Sequence, residues 1–130
     1  MSTFWRGLDY PNEGFVQQAL EQHFSALGYI FKKEGNSDLV CLNKQGQDKW
    51  VIEAKGKTSD IGLDFRTGLG QLLQGMREHG VNYALAMPEI PQFTAQVGKL
   101  APWLREVLNL HLIFVNETGQ LRFVSPEDDN

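Results

Sequence analysis

Three polar side chains stand in stretches that are otherwise apolar. Glu53 and Lys55 lie within residues 50–55, which have the composition of a buried strand, and Asp38 opens the apolar run of residues 39–42. Successive side chains of a strand point to opposite faces, so Glu53 and Lys55 share one face. An unpaired buried charge costs roughly several kcal/mol. The acid and the base must therefore be compensated by each other, by a metal ion or by water.

The strands predicted around Asp38 and Glu53 form a hairpin, so these two carboxylates could converge at one place. Paired carboxylates beside an ammonium group make an oxygen-rich cation site, which suits Mg²⁺ or Mn²⁺ better than zinc. Such a site can bind a phosphate oxygen and activate a water molecule beside it. The Glu-x-Lys tripeptide also arises by chance in chains of this length. A surface ion pair on an edge strand is the alternative interpretation.

Two further polar residues fall on the apolar sides of predicted helices. Glu13 lies on the first turn of a helix that starts near Asn12, and the alternative is an acid that complements the helix dipole. Gln71 lies among inner Leu and Met positions, on the side that also carries Gly68 and Gly75. A glycine inside a helix costs about 1 kcal/mol, so the two glycines indicate close approach of a backbone or a ligand. The alternative for Gln71 is packing against the sheet, with its amide bonded to a carbonyl.

The elements that must position these residues follow from apolar spacing and turn signals. Helices are predicted at residues 12–27, 65–79 and 93–108, the last interrupted near Pro102. Strands are predicted at residues 29–31, 38–42, 50–55, 81–87, 110–115 and 121–124. The order αβββαβαββ predicts a single α/β domain over residues 1–130, with a flexible acidic tail at residues 125–130.

Composition sets the outer limits on function. The chain has 130 residues with 42% hydrophobic and 22% charged, which fits one globular domain. Cys41 is the only cysteine, which excludes an internal disulfide and a cysteine-cluster zinc site. No apolar run is long enough for a membrane span and no signal peptide is recognisable, so the expected location is the cytoplasm. The net charge of -4 argues against a protein that coats nucleic acid, although eight of the twelve Lys and Arg residues fall within residues 30–80.

The order Glu13, Asp38, Glu53-Ala54-Lys55 and Gln71 resembles the PD-(D/E)XK nuclease superfamily, which has the restriction-endonuclease-like fold. The predicted αβββαβ order of residues 12–88 is similar to the core of that superfamily, and the remainder forms a C-terminal αββ extension. Ser37 stands where the family often has proline before its aspartate. Residues 52–56, 59, 64–65, 68–71 and 84–88 are similar to the excision-controlling factors of cyanobacterial DNA elements.

The resemblance implies a role for each residue. Asp38 and Glu53 would ligate Mg²⁺ or Mn²⁺, with the Ala54 backbone carbonyl as a further ligand. Lys55 would orient or deprotonate the attacking water and stabilise the charge that develops on the phosphate. Glu13 would act through a water or a second metal, and Gln71 would position the phosphate or the catalytic water. Four cations are candidates for contacts with backbone phosphates of DNA: Lys32, Lys33, Lys57 and Arg66.

The function that follows is a metal-dependent DNA endonuclease for DNA-element excision, recombination, repair or restriction. It would act as a homodimer or in a larger complex with other recombination or excision proteins. Two alternatives stay open: a non-catalytic nucleic-acid-binding or regulatory subunit that keeps the fold, and a protein-interaction subunit of a mobile-element or repair assembly. The acidic pI of about 5.3 favours these alternatives, because a monomer has little basic surface to hold a duplex. The cost of three polar residues in apolar strands favours the enzyme.

Overall fold

A computed structural model describes residues 7–128 of the chain. The elements in chain order are α1 (Glu13–Ala26), β1 (Ile30–Lys32), β2 (Leu39–Leu42), β3 (Lys49–Ala54), α2 (Ile61–Gln74), β4 (Asn82–Pro88), α3 (Pro91–Val97), α4 (Pro102–Leu108), β5 (Leu110–Val115) and β6 (Leu121–Val124). The α/β class predicted from the sequence is confirmed. Residues 1–6 and 129–130, which the sequence assigns to the same domain and its tail, lie outside the described residues. Within residues 7–128, no helix combines the length and the apolar character that crossing a bilayer requires.

One mixed sheet carries all six of these strands in the order β1-β2-β3-β4-β5-β6. The β1–β2, β2–β3 and β5–β6 pairs are antiparallel, whereas β3–β4 and β4–β5 are parallel. Parallel neighbours need a crossover connection. The segment containing α2 supplies it between β3 and β4, and the segment containing α3 and α4 supplies it between β4 and β5.

Helices cover the sheet on both faces, which explains why β3 and β4 are apolar along most of their length. On one face α2 and α3 contribute Phe65, Leu72 and Phe93 to a core that includes Leu85. On the other face α1 contributes Leu20 and Phe24 to a core that includes Ile52 and Ala84. Glu53 and Lys55 alternate with Ile52 along the chain, so they face the α2 side.

Helix α2 begins and ends earlier than the apolar spacing predicts. It begins at Ile61 instead of Phe65, because the Asp60 side chain caps it by accepting a hydrogen bond from the Leu63 N–H at 3.2 Å. It ends at Gln74 with Gly75 as the C-cap, several residues before Gly80. Spacing alone missed the first turn because Gly56 and Gly62 make residues 56–64 look like a loop.

The C-terminal part departs from expectation in a similar way. Residues 93–108, predicted as one interrupted helix, form α3 and α4, and Pro102 occupies the first turn of α4. The acidic tail, expected to be flexible from residue 125, is held to α4 as far as Asp128. The buried Arg105 guanidinium donates to the Ser125 carbonyl at 3.2 Å and to the Asp128 carbonyl at 2.6 Å.

Candidate active site

The antiparallel pairing of β2 and β3 brings the two predicted carboxylates together. Leu39 opposes Ile52 in the ladder, so the next position along it places Asp38 opposite Glu53. The Oδ2 atom of Asp38 accepts a hydrogen bond from the Ala54 N–H at 3.0 Å, which ties the start of β2 to the end of β3. Glu53 is only 7% exposed and its carboxyl shares a hydrogen bond with that of Asp38. The convergence of Asp38 and Glu53 predicted from the hairpin is confirmed.

Negative charge at this place exceeds the positive charge beside it. Burial raises the pKa of Glu53 from 4.5 to about 8, and the Asp38 carboxylate adds to this increase through its charge and the shared hydrogen bond. The Lys55 ammonium opposes the increase, with its Nζ atom 3.8 Å from the Oε2 atom of Glu53. The Glu13 carboxylate raises the pKa further by a smaller amount. One ammonium therefore faces a group of acids that it does not neutralise.

Lys55 continues the line of β3 and passes beneath α2. Its N–H donates to the Ala86 carbonyl of β4 at 2.9 Å, so its backbone belongs to the centre of the sheet. Its side chain, 17% exposed, runs against Gly68 of α2. A Cβ atom on Gly68 would lie 2.8 Å from the Cε atom of Lys55. The close approach predicted at Gly68 is thus to a side chain, whereas a Cβ atom on Gly75 would lie nearest to carbonyls of its own helix.

Glu13 reaches the site because the first turn of α1 packs on Gly56, directly after Lys55. A Cβ atom on Gly56 would overlap the backbone nitrogen of Glu13 and lie 2.6 Å from its Cα atom. The Lys57 N–H donates to the Pro11 carbonyl at 2.9 Å and holds the same contact. Sequence reasoning did not single out Gly56, although a glycine directly after the Glu-x-Lys strand is a signal of close backbone approach.

Gln71 lies on the wall of a cleft of about 540 Å³ whose floor includes Glu53 and Tyr83. Its side chain is exposed, so the inner position predicted for it is wrong. The turn between β1 and β2, residues 34–37, forms the opposite wall. Lys49 links the two walls, because its Nζ atom lies 2.9 Å from a carboxylate oxygen of Glu34 and 2.9 Å from one of Glu78.

The four cations proposed to bind DNA are exposed and lie on separate elements of the chain. Lys32 and Lys33 lie beside the β1–β2 turn, and the Nζ atom of Lys32 is 3.6 Å from Glu34 Oε2. Lys57 follows the end of β3. Arg66 lies about 200° around the α2 axis from Gly68, so it faces away from Lys55.

The donor set fits a hard divalent cation that keeps part of its water shell. Among residues 7–128, no group of three or more His, Cys, Asp or Glu side chains is placed to hold a metal ion. Asp38 and Glu53 supply two carboxylates, and the Ala54 carbonyl leaves β3 on the same side as its N–H, toward Asp38. Mg²⁺ is commonly bound by one or two carboxylates together with waters and substrate phosphates. Burial is the main cause of the raised pKa of Glu53, and the carboxylates of Asp38 and Glu13 add to it; a bound cation would act against this increase.

Comparisons of the chain with models of protein families, with curated proteins and with solved structures find no match.

Proposed function

We propose that this protein is a metal-dependent endodeoxyribonuclease of the PD-(D/E)XK type that hydrolyses phosphodiester bonds in DNA. The observation that carries the proposal is the buried Glu53, which is paired with Asp38 across two strands and with Lys55 along one strand, on the floor of an open cleft. A structural ion pair needs one acid for each base. Here two acids face one ammonium, so without a further cation Glu53 must keep its proton up to about pH 8.

The order of the elements supports the same proposal. α1-β1-β2-β3-α2-β4 has the αβββαβ order that the resemblance implies for the nuclease core. α3, α4, β5 and β6 stand where the αββ extension is expected, with two short helices in place of one. In the proposed fold the end of β3 carries the Glu-x-Lys pair, and α2 covers it.

Each residue of the site has a role in the proposed hydrolysis. Asp38, Glu53 and the Ala54 carbonyl hold Mg²⁺ or Mn²⁺, which when bound supplies positive charge to a phosphate oxygen and acidity to a water. Lys55 holds its ammonium beside Glu53, where it orients the water and stabilises charge developing on the phosphate. Gln71 positions the phosphate from the cleft wall, and Glu13 acts from the margin through a water. The half-buried position of Glu13 suits this more distant role.

The proposed partner is DNA, bound by a homodimer or by a larger complex with other recombination or excision proteins. The net charge of -4 and the scattered positions of Lys32, Lys33, Lys57 and Arg66 leave one copy with little continuous basic surface. A second copy or another subunit would supply the remaining cations. The same scatter favours the second candidate function, a non-catalytic nucleic-acid-binding or regulatory subunit that keeps the fold.

Cleavage assays with a matched pair of lysine variants distinguish these two functions. With Mg²⁺ or Mn²⁺, the purified protein should nick or cut supercoiled, duplex or branched DNA, and EDTA should abolish this activity. Lys55→Ala should remove cleavage while leaving DNA affinity nearly unchanged, because one cation is a small part of the total electrostatic affinity. Lys44→Ala, at an exposed position on the β2–β3 turn, should retain both properties. Intact DNA across the panel with both metals at high protein concentration would favour the non-catalytic subunit, and loss of binding in Lys55→Ala would make Lys55 a docking residue.

A further inference from the structure

Because Gly68 has no side chain, a groove remains on the surface of α2, and the aliphatic stem of Lys55 lies in it. A Cβ atom at this position would lie 2.8 Å from the Cε atom of Lys55 and 3.1 Å from its Cγ atom, with Leu85 Cδ1 next at 3.3 Å. Gly68 is buried in the interior of a helix, where alanine would be more favourable by about 1 kcal/mol. The two nearest atoms both belong to Lys55. The feature that this glycine accommodates is therefore the lysine stem.

The path of the Lys55 stem through this groove determines the position of its ammonium group. The backbone of Lys55 is fixed by its hydrogen bond to Ala86 in β4, so the path of the stem decides the position of Nζ. That path places Nζ 3.8 Å from the Oε2 atom of Glu53. A free lysine stem has many rotamers, and confining it along one path reduces the entropy lost on reaching the reactive geometry.

We propose that Gly68 is a positioning residue. Because it has no side chain, the Lys55 stem can lie against α2, and this path places the Lys55 ammonium at the site of hydrolysis. The role of Lys55 in hydrolysis rests on the proposed function, whereas the position of its ammonium can be measured without any activity. The flexible end of Lys55 can move more cheaply than the helix or the sheet. An alanine at position 68 therefore displaces the ammonium and leaves the fold nearly intact.

Gly70 provides a matched control on the same helix. Apart from its chain neighbours and the backbone of its own helix, a Cβ atom on Gly70 would have no atom within 4 Å, so Gly70→Ala changes the helix propensity and no contact with another element. Gly68→Ala should lower kcat between about 10- and 100-fold with KM within about twofold of wild type, because a displacement near 1 Å is enough for such a loss. Gly70→Ala should retain the wild-type kcat. Gly70→Ala should melt slightly above the wild-type temperature, whereas in Gly68→Ala the gain in helix propensity is offset by the displaced Lys55 stem and the 3.3 Å contact with Leu85, so its melting temperature should stay near that of wild type.

Nuclear magnetic resonance separates this proposal from the proposed function. Wild-type protein should show nuclear Overhauser contacts between the Gly68 Hα protons and the Lys55 Hε protons. The Lys55 Nζ and Cε resonances should shift in Gly68→Ala and stay in place in Gly70→Ala. If wild-type protein cuts no DNA, the proposed function fails, and the Lys55 resonances still decide the positioning role. If Gly68→Ala folds and its Lys55 resonances do not move, the proposal is overturned. If Gly68→Ala does not fold, the absence of the Overhauser contacts in the wild type would overturn it.

Discussion

Raising the pH should lower the free energy of unfolding of the metal-free protein, because Glu53 then loses its proton. The pKa of this carboxyl is about 8 in the folded protein, against an ordinary value of 4.5. Between these values the folded state keeps the proton that the unfolded chain releases. The stabilising contribution of protonated Glu53 is therefore complete below about pH 4.5 and is lost as the pH rises through about 8.

The size of the effect follows from linkage. Each pH unit between the two pKa values lowers the free energy of unfolding by at most about 1.4 kcal/mol. From pH 5 to pH 8 the loss sums to about 3 kcal/mol, because the last part of the window lies close to the folded-state pKa. For a chain of this length, about 3 kcal/mol corresponds to a melting temperature lower by about 10 °C.

Thermal unfolding in EDTA across pH 5 to 8 would measure this loss against Glu53→Gln, which keeps the shape of the side chain and does not titrate. The difference in melting temperature, variant minus wild type, should grow by about 10 °C over the range. Taking the difference cancels other titrations, such as that of His111, whose pKa is lowered by burial and which acts in the opposite direction. Glu21→Gln, at an exposed position of α1, should follow the wild type. Parallel curves for wild type and Glu53→Gln would refute the explanation.

Three other predictions test the surroundings of the site. Without metal at pH 8, Asp38→Asn should melt at a higher temperature than wild type, because it removes the charge facing Glu53 while keeping an acceptor for the Ala54 N–H. Added Mg²⁺ should raise its melting temperature less than that of wild type. A metal-free melting temperature below that of wild type would contradict a shared-ion site. Lys57→Ala with Arg66→Ala should make the slope of log affinity against log salt shallower in fluorescence anisotropy, and an unchanged slope would place the DNA elsewhere. Gly56→Ala should destabilise the protein by about 3 kcal/mol in urea unfolding, because the added methyl group overlaps the backbone of α1; wild-type stability would exclude this contact.

The centre of the site could be predicted from local rules. The alternation of side chains along a strand puts Glu53 and Lys55 on one face, and a short polar turn makes the hairpin that brings Asp38 opposite Glu53. Both rules act over a few residues. They do not depend on how distant elements pack, so they held when the chain folded.

The positions of Glu13, Gln71 and the C-terminal tail could not be predicted in this way. The contact of Glu13 with the end of β3 depends on Gly56, a residue more than forty positions along the chain, and no pattern within α1 indicates it. The exposed position of Gln71 on the cleft depends on how α2 and the β1–β2 turn are placed, because both elements line that cleft. The fixed tail depends on Arg105, a cation whose burial is visible only once α4 and the C-terminal residues are placed.

The two sides of the cleft differ in how many strand and helix contacts they make, so we expect them to open locally at different free energies. Its floor belongs to β3, paired on both sides and covered by helices, so we expect amide hydrogens there to exchange only in near-global unfolding. Its outer wall follows β1, a three-residue edge strand with every residue exposed, linked across the cleft through Lys49. Amides of β1 should exchange through local opening at far lower free energy. The cleft can then widen on the β1 side while Glu53 and Lys55 remain in place.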